Sequence, residues 1–288
     1  MIRIGIIGAE NSHTAAIAKT LNVDLAVPGF RVDCVWGETE AFAKDAAAKG
    51  QISTIVADSA EMLGKVDAVI VDHRHARFHL PAVLPFMRAG VPCFVDKPFC
   101  YRSQEGLEFL AEARAKGTPV TSFSVLPHQA SYRSFKAKLA EVGPLKAVST
   151  YGPCDLESPH GGIFFYGIHQ VEFALVAFGY DVVAVQLTRH RDHGLAQLHY
   201  ADGKIAALHL IKAGAPGFYA HALGEKGAAE EKLAFDANPY LDGIKTFTAM
   251  FATRQEPVPH DQIMKPVFVL EALERSLASG KVEAVASC

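Results

Sequence analysis

Four short stretches carry the side chains best suited to chemistry: "GAENSH" at 8–13, "VDHRHARFH" at 71–79, "VDKPF" at 95–99 and "GGIFFYGIHQVE" at 161–172. In the third, Lys97 stands between Asp96 and Pro98, whose ring restricts the backbone on both sides of the bond. A lysine held there, partly buried, has the ammonium needed to polarise an alcohol or carbonyl oxygen. In the fourth, two glycines permit close approach of backbone to a ligand, and a helix pattern then begins. Phe165, Tyr166 and His169 fall on one face of that helix, at i,i+4 and i,i+3 spacings to the histidine. Histidine is the side chain best suited to take a proton near neutral pH. A buried histidine satisfied by one hydrogen bond is the alternative reading.

The second stretch groups His73, Arg74, His75, Arg77 and His79 in a chain of net charge -3. A metal site, a clamp for phosphate or a substrate acid, and a solvated loop are its three readings. Apart from Asp72, no cysteine or acid stands at a ligand-like spacing, so no metal is expected. As an anion clamp, Arg74 would offset the charge of Glu10.

The first stretch follows a glycine-ended apolar run and precedes a helix pattern. A dinucleotide loop uses glycines for the turn, for close approach to the pyrophosphate and for helix–strand packing. Only Gly8 matches, with Glu10 and His13 in the second and third positions. Glu10 would repel a pyrophosphate, whereas Asn11 and Ser12 are good caps for a helix N-terminus that offers N–H groups to an anion. A plain strand–helix turn capped by Ser12 is the other reading. The acid that would hold an adenosine ribose is Glu38, one position late after Gly37; it could equally open the next helix, where acids suit the dipole.

These residues need a frame. The pattern predicts strands over 2–7, 31–36, 55–57, 68–71, 92–95 and 119–123, separated by amphipathic helices. Asp58 with Glu61 forms a capping box, Ser103 is a candidate N-cap, and Gly50, Gly90 and Gly117 mark helix ends. Repeated strand–helix units predict an α/β Rossmann-like domain with a parallel sheet over 1–123. Beyond it, a helix over 128–142, a strand, and strand-like runs over 182–188, 195–200, 204–211 and 219–223 are joined by short turns. Short turns imply antiparallel neighbours. The expectation for 124–288 is an α+β domain with an open antiparallel sheet. Two helices over 238–279, broken by "EPVPH", could pack back on the first domain. An open sheet face predicts a homo-oligomer, dimer or tetramer.

Composition agrees with two domains, since 288 residues, half of them apolar, exceed one usual core. Scattered basic residues argue against nucleic acid, and no apolar run has the roughly 18–20 residues of a membrane span. The N-terminus shows no cleavable signal. Cys34, Cys93, Cys100, Cys154 and Cys288 form no CxxC pair and read as thiols in a reducing cytoplasm.

Together these motifs resemble the glucose–fructose oxidoreductase / inositol dehydrogenase / MocA (Gfo/Idh/MocA) family over nearly the whole chain. "AGVPCFVDKPF" is similar to the family's AGKxVxxEKP element, and "GGIFFYGIHQVEFALVAFG" to its GGxxxDxGxHxxDxxxxxxG element. The resemblance implies NAD or NADP on the first domain and a sugar, polyol or related alcohol on the second. It makes Lys97 the lysine that contacts cofactor ribose and substrate, and His169 the general base, with Tyr166 the candidate for the acid missing at Phe165. The cofactor-binding set expected with it is Gly8, Glu10, Asn11, Ser12, Glu38, His73, Arg74, Asp96 and Lys97. The substrate set is His75, Lys97, His128, His160 and His169. Departures from the family are Asp96 for Glu, His73-Arg74 for Thr-Pro, Glu172 as the only later acid of the helix, "SVLPHQ" without its arginine, and a shorter chain. They keep two other readings open: a non-catalytic ligand-binding or regulatory protein, and a lyase or isomerase with tightly held NAD.

Overall fold

The computed structural model describes residues 1–214 and 217–287, so Cys288 lies outside the described residues. The chain divides into two compact units, Met1–Phe123 with Tyr240–Ile263, and Ser124–Pro239 with Met264–Cys288.

The first unit is built on β1 (Ile2–Ile7), α1 (Ser12–Ala18), β2 (Phe30–Trp36), α2 (Glu40–Gly50), β3 (Thr54–Ile55), β4 (Ala68–Val71), α3 (His79–Arg88), β5 (Cys93–Val95), α4 (Ser103–Lys116) and β6 (Val120–Thr121). The six strands form one sheet in the order β3-β2-β1-β4-β5-β6, every pair parallel. Parallel strands covered on both faces need near-continuous apolar runs, and β4 is buried at every residue. The order reverses between β1 and β4, which makes their carboxyl ends the switch point where ligands of such sheets bind.

Local punctuation sets the connections. Thr39 caps α2 through the Phe42 N–H, and the Asp58–Glu61 capping box opens a 3₁₀ turn, Ser59–Met62. Gly117 closes α4 in the left-handed region. Ser103 is not a cap: the helix starts on it, and the cap position belongs to Arg102. Gly8 is required by packing, since its φ is +107° and an added Cβ would lie 2.8 Å from the carbonyl carbon of Asp72. Residues 240–263 belong to this unit because α7 (Leu241–Thr253) lays Ile244, Phe247, Met250 and Phe251 into the core around Ile4, Ile6, Ile70 and Phe94. Phe94 and Phe247 stack at 4.5 Å.

The second unit contains α5 (Ala130–Glu141), β7 (Leu145–Pro153), α6 (Ile163–Phe178), β8 (Val182–His190), β9 (His193–Tyr200), β10 (Ile205–Ile211), β11 (Phe218–Gly224), β12 (Gly227–Leu233), most of α8 (His260–Ser279) and β13 (Glu283–Ala284). Its seven strands run in the order β12-β11-β7-β10-β9-β8-β13. The sheet is mixed rather than wholly antiparallel, because β7 pairs with β10 in parallel. The chain leaves β7 through α6 and a hairpin, a crossover long enough for a parallel return. The helix expected over 128–142 is two pieces, a 3₁₀ turn Leu126–His128 and α5, separated by the extended Gln129. Strand β12, "GAAEEKL", escaped the sequence reading because alanine and charge carry no strand signal; its ladder with β11 makes it one. Helix α6 is buried nearly all round, as its apolar circumference requires. Among the described residues no helix is long and apolar enough to cross a membrane.

Candidate active site

In the first unit the carboxyl ends of β1, β2, β4 and β5 bring the expected residues into one network. The Glu38 carboxylate reaches back to the loop after β1, where Oε2 accepts from the Ala9 N–H at 2.8 Å and the Glu10 N–H at 2.9 Å. Its other oxygen, Oε1, is buried with no partner among the described residues. Arg74 Nε lies 3.9 Å from Glu10 Oε1, both side chains part-exposed.

Neither Asn11 nor Ser12 caps α1 with its side chain. Ser12 is the first helical residue, and Asn11 holds the cap position without a capping bond. Two carboxylates draw the Asn11 amide inward instead: Nδ2 donates to Asp72 Oδ1 at 2.9 Å and to Asp96 Oδ2 at 3.4 Å. His13 Nδ1 stands 3.5 Å from Asp72 Oδ1 and 3.4 Å from Asp96 Oδ2. The Thr14 hydroxyl donates to Asp72 Oδ2 at 2.6 Å. Lys97, only 7% exposed, closes the group with Nζ 3.6 Å from Asp96. The ligand atoms of His13, Asp72 and Asp96 lie within 4.8 Å of one another, close enough for a cation, but the donors of Asn11, Thr14 and Lys97 already serve those oxygens.

Charge in this cluster is set by competition. Burial opposes protonation of His13, but Asp96 and Asp72 outweigh it and raise the imidazolium to about 9. Burial likewise opposes ionisation of Asp96, yet Lys97 and His13 hold its carboxyl below the usual range. Burial pushes the Asp72 carboxyl up, against its bonds from His13 and Thr14.

The loop after β4 is less cationic than its composition implies. Burial, with His79 beside it, lowers His73 to about 4, so this ring is neutral at pH 7. It packs among Trp36, Phe78 and His79. His79 is structural: its ring nitrogens lie 2.8 Å from the His73 carbonyl and 3.0 Å from that of Pro98, tying the loops after β4 and β5. His75 accepts from the Arg77 N–H as a cap and packs edge-on to Tyr101. The ring thereby holds the turn that opens at Ala76.

In the second unit α6 carries His169 inward, 8% exposed. Its Nδ1 lies 2.8 Å from Ser124 Oγ, and Glu172, one turn on, accepts from the Ser124 N–H at 2.6 Å. Ser124 is thus a hydrogen-bonding group beside the histidine. Tyr166, 41% exposed, meets His169 edge-on, with ring centroids 5.6 Å apart. Phe218 covers another side at 5.7 Å, while His160 packs on Phe165 at 4.7 Å. His128 ends the 3₁₀ turn, and its carbonyl accepts from Arg133.

Sequence reasoning missed the roles of His13, Asp72 and Ser124. A signal existed for all three. Asp72, Asp96 and Ser124 follow the strands β4, β5 and β6, which are neighbours in a parallel sheet, and His13 opens the helix after β1.

Residues 2–123 match the model of an oxidoreductase family described as having an NAD-binding Rossmann fold. Inositol 2-dehydrogenase 2 of Saccharopolyspora erythraea is 24% identical over 220 residues, which are 72% of this chain and 61% of that protein. The structure of myo-inositol dehydrogenase from Lactobacillus casei with NAD(H) and myo-inositol superposes with a TM-score of 0.86 at 16% identity, covering 100% of this chain and 98% of that one. GenD2 from gentamicin A biosynthesis, in complex with NAD, gives 0.87 at 17% identity, covering 99% and 97%. At such identities the likeness to these structures is one of fold.

Proposed function

We propose that the chain, whose residues 2–123 match the model of an NAD-binding oxidoreductase family, is a Gfo/Idh/MocA-type NAD-dependent dehydrogenase or reductase acting on a hydroxyl or carbonyl of a sugar, polyol or related small alcohol. The observation that carries this reading is the gathering of Glu38, Asn11, Arg74, Asp96 and Lys97 at the strand ends flanking the switch point. The inositol dehydrogenases among its relatives support the polyol class.

The residues fit a dinucleotide in a specific way. Glu38 Oε1 is a buried acceptor with no donor among the described residues, just beyond β2 where a ribose hydroxyl would supply one. Gly8, Ser12, His73 and Arg74 complete the cofactor set, with Arg74 relieving the repulsion between Glu10 and a pyrophosphate. NAD, when bound, supplies the hydride acceptor or donor. Lys97 orients and polarises the reacting oxygen, and His169 moves its proton. His128 and His160 are proposed to contact substrate from the second unit.

A carboxylate at Glu38 also repels a 2′-phosphate. NADH is expected to bind at least about tenfold tighter than NADPH, and Glu38→Ala to narrow that ratio while weakening NADH. Titration of nucleotide fluorescence checks both. No binding of either nucleotide at millimolar concentration would favour the non-catalytic reading.

The second sheet is proposed as the oligomer surface. Side chains of β7 and β10 alternate between the α6 side, where Thr150 bonds Gln170, and a half-exposed side where Tyr151 stacks on His209 at 4.4 Å. Light scattering at micromolar concentration is expected to give a dimer or tetramer, and a monomer would refute it. The buried thiols of Cys34, Cys93 and Cys154 suit the reducing cytoplasm expected from the sequence.

A further inference from the structure

We propose that His73 is a second contact to the adenosine half of the dinucleotide, sharing with Glu38 the 2′-hydroxyl of its ribose, and that the pair selects NAD over NADP. The proposal rests on the cofactor reading above and adds to it one residue and one atom. His73 is only 6% exposed, and its Nδ1 is buried without a hydrogen-bond partner among the described residues. Glu38 Oε1 is in the same condition. Buried polar atoms are nearly always paired, so two unpaired ones in a ligand cleft point to a ligand.

Three contacts bring the two side chains together. Glu38 is bonded to the N–H groups of Ala9 and Glu10. Gly8, next in that loop, packs so closely on the Asp72–His73 peptide that an added Cβ would lie 2.9 Å from the His73 backbone nitrogen. Trp36, which ends β2, has its ring 5.8 Å from that of His73. The charge of Glu38 favours a proton on the His73 ring, but burial and His79 outweigh it, so the ring stays neutral at pH 7. Phe78 holds the ring from another side, and His79 Nε2 lies 2.8 Å from the His73 carbonyl.

The chemistry of the pair selects its partner. A carboxylate oxygen can only accept, and its charge favours the neutral tautomer that carries its hydrogen on Nδ1, as a donor. One hydroxyl between them accepts from Nδ1–H, donates to Oε1 and satisfies both. A 2′-phosphate cannot do this. Its ester oxygen has no hydrogen to give, and its charge meets a carboxylate and an uncharged ring.

The test compares NADH with its 2′-deoxyadenosine analogue by fluorescence titration, on the parent chain and on His73→Phe, which keeps a ring and removes the nitrogens. Loss of the 2′-hydroxyl should weaken binding to the parent at least about tenfold. His73→Phe should weaken NADH about fivefold while leaving the analogue and NADPH as the parent binds them. NADH bound equally by both chains overturns the proposal, as does an equal weakening of NADH and the analogue. The comparison on the parent needs no variant, and equal affinity for NADH and the analogue overturns the proposal by itself. A parent that binds neither NADH nor ADP-ribose refutes the cofactor reading, and the proposal with it.

Discussion

Replacing His13 by alanine is expected to lower the free energy of unfolding by about 3–5 kcal/mol, because removing one member of a buried ionic group strands the others. His13 lies within 3.5 Å of the carboxylates of Asp72 and Asp96, both buried. Without the imidazolium, the Asp72 carboxyl, already pushed up by burial, must take a proton or face Asp96 as a second anion with only Lys97, Asn11 and Thr14 to hold them. Urea denaturation at pH 7 measures the loss. Adding Asp72→Asn to His13→Ala should recover part of it, since one of the opposed charges is then gone. A His13→Ala chain as stable as the parent would show that the imidazolium is not what holds the carboxylates.

The pH dependence has a definite sign. The folded His13 is raised from 6.5 to about 9, so its contribution is fully present below pH 6.5 and is lost as pH rises through 9. Asp96, held below its ordinary 3.8, contributes above that value and loses its contribution as pH falls further. Stability should therefore decline on both the alkaline and the acid side, and His13→Ala should flatten the alkaline limb specifically.

Lys97→Met and His169→Ala are each expected to lower kcat/KM by about 10²–10⁴, the usual scale of a positioned acid–base or polarising group. Methionine retains the apolar stem of Lys97 and removes the ammonium, leaving Asp96 to His13 and Asn11. His169→Ala removes the proton-carrying ring and leaves Ser124 bonded to Glu172 through its backbone. Circular dichroism should show the fold retained in both. Parent-like turnover in both would place the chemistry elsewhere. In Tyr166→Phe the loss should be far smaller, because the contact of Tyr166 with His169 is between the two rings, edge-on, and phenylalanine keeps it.

The sequence by itself determined the parallel sheet of the first unit and singled out Lys97 and His169 as the candidates proposed for catalysis. Strands such as "IRIGII" and "AVIV" are legible because a strand buried on both faces needs an unbroken apolar run, a local property of the chain. Lys97 and His169 were legible because their flanks, Asp-Lys-Pro and a glycine pair before a helix, are local too. The tertiary structure decided what depends on distance between residues far apart in the chain. It made His13 an imidazolium by bringing Asp72 and Asp96 to it, and it made Glu38 a partner of the Ala9 and Glu10 N–H groups. It returned residues 240–263 to the first unit, through apolar contacts that no local pattern specifies. It also set Ser124, 45 positions away, within hydrogen-bond distance of His169. Secondary structure follows from periodicity along the chain, whereas protonation states and hydrogen-bond partners follow from which desolvated groups the fold places within a few ångströms of one another.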